Sequence, residues 1–216
     1  MLLAFFTCIV FAQPKPLKFI HITKTGGTSI EDFGKKVNVS WGRFHTRSEK
    51  DYGFWHTPHD LKSHALVRSY DWFMFVRNPF DRIVSEYWCK WGGKGRPPNA
   101  NVRDFNSFLR KRILSGANDA NDGHYAKQTL YLRILNISPD VILRLGHFES
   151  LQQDLQRILA LYDIKTEGLL LHANSNSKPL NVSHLDDKTI WLIQTTYMSD
   201  FEIFGYDLHP HRALLR

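Results

Sequence analysis

The chain has only two cysteines in 216 residues, Cys8 in an apolar leader and Cys89 far from it, so a disulfide framework is not expected. It contains no Cys-x-x-Cys pair and no His-Glu-x-x-His run, and without them the usual signals of a zinc site are missing. Internal repeats, low-complexity tracts and charge blocks long enough to mark a disordered tail are absent too, so a solenoid is not expected. The apolar leader, Leu2 to Ala12, is too short to span a bilayer. Acidic residues are outnumbered, 21 against 28 lysines and arginines, leaving a net charge of +7. Polyanions are therefore attracted. No DNA or RNA recognition motif accompanies the charge, so no specific nucleic-acid partner is expected.

What is present suits one globular domain over residues 17–216, with 43% hydrophobic and 23% charged residues. Residues 1–16 form a separate leader. Val10-Phe-Ala12 resembles a small-residue cleavage site, and the segment reads as a short signal or the remnant of an anchor, otherwise as a plain apolar extension. Three glycosylation sequons, at Asn38, Asn136 and Asn181, are slightly more than chance would give and are compatible with the secretory pathway, with a cytoplasmic location as the alternative. Membrane association would run through the leader.

Two strand-to-turn-to-helix junctions carry most of the chemical information. In the first, Leu17 to Ile22 is a short β-branched apolar run ending at Lys24-Thr-Gly-Gly-Thr-Ser29. Gly26 and Gly27 permit a turn closed to other residues, and Thr28 and Ser29 open a helix to about Val37, with Glu31 and Asp32 in its first turn. Helix-start N–H groups, hydroxyls and the Lys24 ammonium together make an anion site. The spacing is not that of a Walker loop, because Lys24 precedes both glycines. In the second junction, the run Trp72 to Val76 ends at Arg77, and Asn78-Pro79 starts a helix carrying Ser85. A guanidinium at a strand end suits a phosphate. Read without a ligand, the first turn is a capped left-handed turn with a solvated lysine, and Arg77 ties strand to helix through Asp81 or Glu86.

Lys24-Thr-Gly-Gly-Thr-Ser29 and Phe75-Val-Arg-Asn-Pro-Phe-Asp-Arg-Ile-Val-Ser-Glu-Tyr87 resemble the 5′-phosphosulfate and 3′-phosphate loops of PAPS-dependent sulfotransferases. The likeness is greatest to the carbohydrate branch that includes the heparan sulfate 2-O-sulfotransferases, and it extends over most of residues 17 to 208. Gln128, Phe148-Glu-Ser-Leu-Gln-Gln-Asp154 and Tyr197 to Tyr206 add to it. The resemblance implies a P-loop-like three-layer α/β fold with a central, mostly parallel sheet flanked by helices. It implies no metal, PAPS as co-substrate, and a sulfuryl transfer to a hydroxyl or amine, in the Golgi lumen of eukaryotic relatives; a carbohydrate hydroxyl is the acceptor expected here, and in-line displacement follows by analogy with phosphoryl transfer. By position, Lys24, Thr25, Gly26, Gly27, Thr28 and Ser29 would hold the 5′-phosphosulfate, and Arg77 and Ser85 the 3′-phosphate. A late loop at His172 to Lys178 would close over the nucleotide.

The base is sought in Phe54-Trp-His-Thr-Pro-His-Asp-Leu61. His59 falls in the first turn of a helix capped by Thr57, where imidazolium is disfavoured, whereas His56 matches the related 2-O-sulfotransferases better by position. Both are candidates, with Lys24 as the leaving-group cation. His21 reads as structural, Glu31 as a runner-up base or a partner of the helix dipole, and zinc through His56, His59 and His64 lacks a supporting pattern. Gly92 to Val102 is a turn-rich loop beside the acceptor cleft, and Lys90, Lys94, Arg96, Arg103, Arg110, Lys111 and Arg112 form either a basic face for an anionic glycan or simply a solvated basic surface. Further helices are expected over 104–115, 150–162 and 183–199, the last opened by Ser183-His-Leu-Asp186, and a strand over 141–145. Two other functions remain: a small-molecule or nucleotide kinase, and a non-catalytic basic glycan-binding module.

Overall fold

The computed structural model describes residues 14–39, 41, 56, 64–95, 97–117, 123–167 and 178–210. Three strands, β1 (Leu17–Ile20), β2 (Asp71–Val76) and β3 (Leu143–His147), pair in the order β1-β2-β3, all parallel. Leu17 pairs with Asp71 and Val76 with His147, so all three carboxyl ends reach one edge of the sheet. Each strand feeds a turn and then a helix: β1 leads to α1 (Gly27–Lys36), β2 to α3 (Pro79–Tyr87), and β3 to α5 (Leu151–Ala160). A short α2 (His64–Arg68) precedes β2. Beyond α3 come α4 (Val102–Gly116), a 3₁₀ segment (Gln128–Asn136), α6 (Asp187–Thr196) and α7 (Met198–Phe204).

The central strand explains the layering. All six residues of β2 are buried, and their alternation sends Trp72, Met74 and Val76 to one face and Phe73 and Phe75 to the other. On the first face they meet Phe80 and Ile83 of α3, Phe105 and Leu109 of α4, Ile193 of α6 and Phe201 of α7. On the second they meet Ile30 and Phe33 of α1 and Leu155 and Ile158 of α5. The result is the expected α/β arrangement, a parallel sheet flanked by helices, and it leaves the strand-end turns as the surface where polar groups collect.

Three boundaries differ from expectation for physical reasons. The span 183–199 is not one helix. Leu185 is extended, and Asp186, expected inside a capping box, is itself the N-cap of α6, its carboxylate accepting from Thr189 N–H at 2.8 Å. Arg110 Nη1 and the Asn106 side chain fix Asp186 there. The third strand begins two residues later than expected, with Val141 buried just ahead of it. α1 begins at Gly27, which moves Glu31 out of the first turn and into the core.

Candidate active site

The turn after β1 is built around two left-handed residues, Lys24 at φ 61° and Gly26 at φ 88°. The first is a conformation that a side chain adopts only when its surroundings hold it. Here the surroundings are explicit. Thr25 is buried and its hydroxyl donates to the Ile22 carbonyl at 2.9 Å, so its side chain serves the turn and is not on the cavity wall. The Thr23 carbonyl accepts from Arg82 Nε at 3.1 Å. Gly27 is required for a separate reason: a Cβ there would lie 2.1 Å from Nε2 of His21. Among the described residues no side chain caps α1, and an uncapped helix start favours an anion.

The turn after β2 is held more elaborately. Gln128 clamps the backbone of Arg77 on both sides, its Oε1 accepting from Arg77 N–H at 2.9 Å and its Nε2 donating to the Arg77 carbonyl at 2.9 Å. Asp200 of α7 fixes Gln128 in turn, accepting from its N–H at 2.8 Å and from Thr129 N–H at 2.9 Å. Asn78 N–H donates to Glu149, whose other oxygen accepts from the Tyr206 hydroxyl at 2.9 Å. The Arg77 guanidinium lies over the Phe148 ring at 4.2 Å and donates to the Lys24 carbonyl at 3.2 Å, which joins the two turns directly. Burial lowers its pKa, while Asp81 and Glu149 oppose that shift. Its Nε is buried without a partner among the described residues.

Three histidines cluster beside these turns. His56, at φ 62°, is pinned through its backbone: its N–H donates to the His21 carbonyl at 2.9 Å and its carbonyl accepts from the Tyr131 hydroxyl at 2.6 Å. Its ring packs edge-on against His21, with centroids 4.8 Å apart, and lies 5.5 Å from His124. His21 pairs through Nδ1 with the buried Glu31, and His124 donates from Nδ1 to the buried Glu86 at 2.9 Å. Glu31 therefore stands behind His21 instead of facing a substrate or supporting the helix start. Glu86 belongs to His124 and not to Arg77.

One cavity of about 660 Å³ takes in both turns and the histidines. Lys24, Gly26, Gly27, Thr28, Ser29, His56, Arg77 and Ser85 all line it, together with His21 and His124. A second hollow of about 470 Å³ continues past Arg77, Asp81 and Phe148. Lys178 lines the larger cavity, whereas His59 and the rest of the expected closing loop lie outside the described residues. The basic face is dispersed: Arg110 pairs with Asp186 at 2.8 Å, Arg112 stacks on Tyr125, Lys94 on Phe108 and Lys90 on Trp91. Arg96 lies outside the described residues.

Sequence reasoning overlooked Arg82. It is buried, and its guanidinium donates to the carbonyls of Thr23, Gly123, His124 and Ala126 at 2.8–3.2 Å, stitching the first turn to the loop that bears His124. An arginine on the apolar side of a helix, one position before Ile83, was the only signal available. The histidine–carboxylate pairs had none beyond the residue types.

No curated protein and no solved structure gives a significant match to this chain. The Sulfotransferase family does match, over residues 8–207. With that match over most of the sequence, and with both strand-end turns opening onto one cavity, the chain belongs to the sulfotransferase family.

Proposed function

We propose that the protein transfers a sulfuryl group from PAPS to a hydroxyl of a carbohydrate acceptor by in-line displacement, with His56 as the base, as in the 2-O-sulfotransferase branch. One observation carries the reading: Lys24, the Gly26 to Ser29 turn, His56, Arg77 and Ser85 come from three separate stretches of chain and line a single cavity. Its size falls within the roughly 300–1,000 Å³ usual for small-ligand sites.

The residues present fit the nucleotide. Arg77 keeps a buried donor without a partner among the described residues, an arrangement that costs free energy until an anion accepts from it. Gly26 and Gly27 line the cavity, and a Cβ at either would collide with Leu151 and Phe148 or with His21. Lys24 and the start of α1 would hold the 5′-phosphosulfate, and Arg77 with Ser85 the 3′-phosphate. When bound, PAPS supplies the activated sulfuryl group.

The chain's own residues do the rest by position and charge. Lys24, half-buried in the wall, offsets negative charge gathering on the departing oxygen. His56 takes the proton of the acceptor hydroxyl. Its backbone is held at both ends, so little reorganisation is needed to bring the ring to bear. Asn38, Asn136 and Asn181, the sequon asparagines, are exposed, as glycosylation in a secretory location would require.

PAPS labelled in its sulfuryl group, offered with a panel of glycans and small alcohols, tests the proposal. Labelled glycan should form, and His56→Ala should lower its rate by about 10²–10⁴-fold while adenosine 3′,5′-bisphosphate binds as before. A chain that binds the nucleotide yet labels no glycan would overturn it.

A further inference from the structure

We propose that Glu86, Cys89 and His124 form a binding site for one thiophilic divalent cation, with zinc the best-fitting ion. One ligand atom from each of the three lies within 4.8 Å of the other two. The chain folds to bring them together. Glu86 is in the last turn of α3, and Cys89 N–H donates back to the Glu86 carbonyl at 2.9 Å, which turns the thiol towards the carboxylate. His124 arrives on the loop that Arg82 holds through the Gly123 and His124 carbonyls. Gly92 packs so closely that a Cβ would meet His124 Nδ1 at 2.5 Å, which fixes the ring's position.

A second observation, independent of the clustering, points to a ligand. Glu86 is fully buried; its Oε2 accepts from His124, but its Oε1 has no partner among the described residues. A buried carboxylate oxygen left without a partner is unfavourable, and a cation bridging Oε1 to the thiol resolves it. The free thiol of Cys89 and the ring of His124 both line the larger cavity, so a fourth position opens onto that space.

The donor set decides the ion. Thiolate and imidazole favour zinc over magnesium or calcium, which prefer oxygen. A tetrahedral zinc with bonds of about 2.0–2.3 Å holds its ligand atoms roughly 3.3–3.8 Å apart, so a closure of about an ångström completes the site. On binding, the thiol gives up its proton to solvent, and the imidazole coordinates in its neutral form, its one proton carried by the ring nitrogen that does not bind the cation. Carboxylate and thiolate together then balance the dication without another counter-ion. Because His124 packs against His56, an occupied site obstructs the acceptor side of the cavity. On the proposed reading of that cavity, zinc is a reversible inhibitor of transfer, but the binding itself does not depend on that reading.

Cobalt titration of the chelator-treated full chain tests binding without any activity assay. One equivalent should produce a thiolate-to-cobalt charge-transfer band that zinc abolishes by displacement. The band should persist in Cys8→Ser and vanish in Cys89→Ser, with zinc affinity by calorimetry falling at least about tenfold in the latter. Should Cys89→Ser fold poorly, the unaltered chain still answers: zinc should slow alkylation of Cys89, but not of Cys8, by at least about tenfold. Absence of the band, its survival in Cys89→Ser, or equal alkylation with and without zinc would each overturn the site. If zinc binds as described but leaves transfer unchanged, only the inhibitory role fails.

Discussion

Arg77→Lys separates a nucleotide-binding arginine from one that merely ties the two turns together. The guanidinium stacks on Phe148 at 4.2 Å, uses Nη1 on the Lys24 carbonyl at 3.2 Å and keeps Nε unpartnered among the described residues. A lysine retains the charge but not the planar fork, so it cannot satisfy Lys24 and a phosphate together. Losing one charged hydrogen bond costs about 1.5–3 kcal/mol, equivalent to roughly 10- to 150-fold in affinity. Calorimetry with adenosine 3′,5′-bisphosphate should show that loss, while AMP, lacking the 3′-phosphate, should bind almost unchanged. The ratio of the two dissociation constants is the decisive quantity. If both nucleotides weaken equally, Arg77 acts only through Lys24 and the first turn, and if neither weakens, the 3′-phosphate assignment is wrong.

Gly27→Ala places a Cβ 2.1 Å from His21 Nε2, and the buried ring, paired with Glu31, has little room to retreat. Overpacking of this kind costs about 1–3 kcal/mol, visible as a lower denaturant midpoint, and turnover should fall further than stability because His21 packs on His56. Asp154 gives a pH prediction. Burial pushes its carboxyl up, but bonds from His147 N–H, the Ser150 hydroxyl and Arg157 outweigh that and hold it below its ordinary 3.8. The folded chain thus takes up this proton less readily than the unfolded chain. The stability it contributes is complete above about pH 3.8 and is lost as pH falls through the lower folded value. Asp154→Asn should therefore lower the melting temperature at neutral pH, by the equivalent of about 1–2 kcal/mol, and flatten its decline below about pH 3.8. An unchanged acid limb would show that these bonds do not hold the carboxylate.

Much of the site could be read directly because its signals are local. A β-branched run followed by Gly26-Gly27, and an apolar run ending in Arg77-Asn78-Pro79, each specify strand, turn and helix within a dozen residues or so. Gln128, Glu149 and Tyr206 were visible as parts of a resemblance but their roles were not, since each supports a strand end from 51 or more residues away. The Asp186 cap was misplaced for a similar reason. Its position depends on Arg110 and Asn106 of α4, 76 and 80 residues earlier, and local spacing alone favoured Ser183. Glu31 and Glu86 are charged residues expected at the surface, yet both are buried against histidines, His21 at a separation of 10 residues and His124 at 38.

These non-local polar contacts have a common mechanical purpose. Turns at strand ends contribute few apolar side chains to either core, so burial alone cannot hold them to within the fraction of an ångström that group transfer requires. Arg82 supplies the missing rigidity, because a planar guanidinium can satisfy several carbonyls only when they occupy a fixed arrangement. By gripping Thr23 on one side and Gly123, His124 and Ala126 on the other, it sets the distance between the Lys24 turn and the His124 loop. His56 is tied to both, through the His21 carbonyl and through the close approach of Gly123, where a Cβ would lie 1.6 Å from the His56 oxygen. The placement of the proposed base relative to the proposed leaving-group cation therefore depends on an arginine that reaches neither substrate.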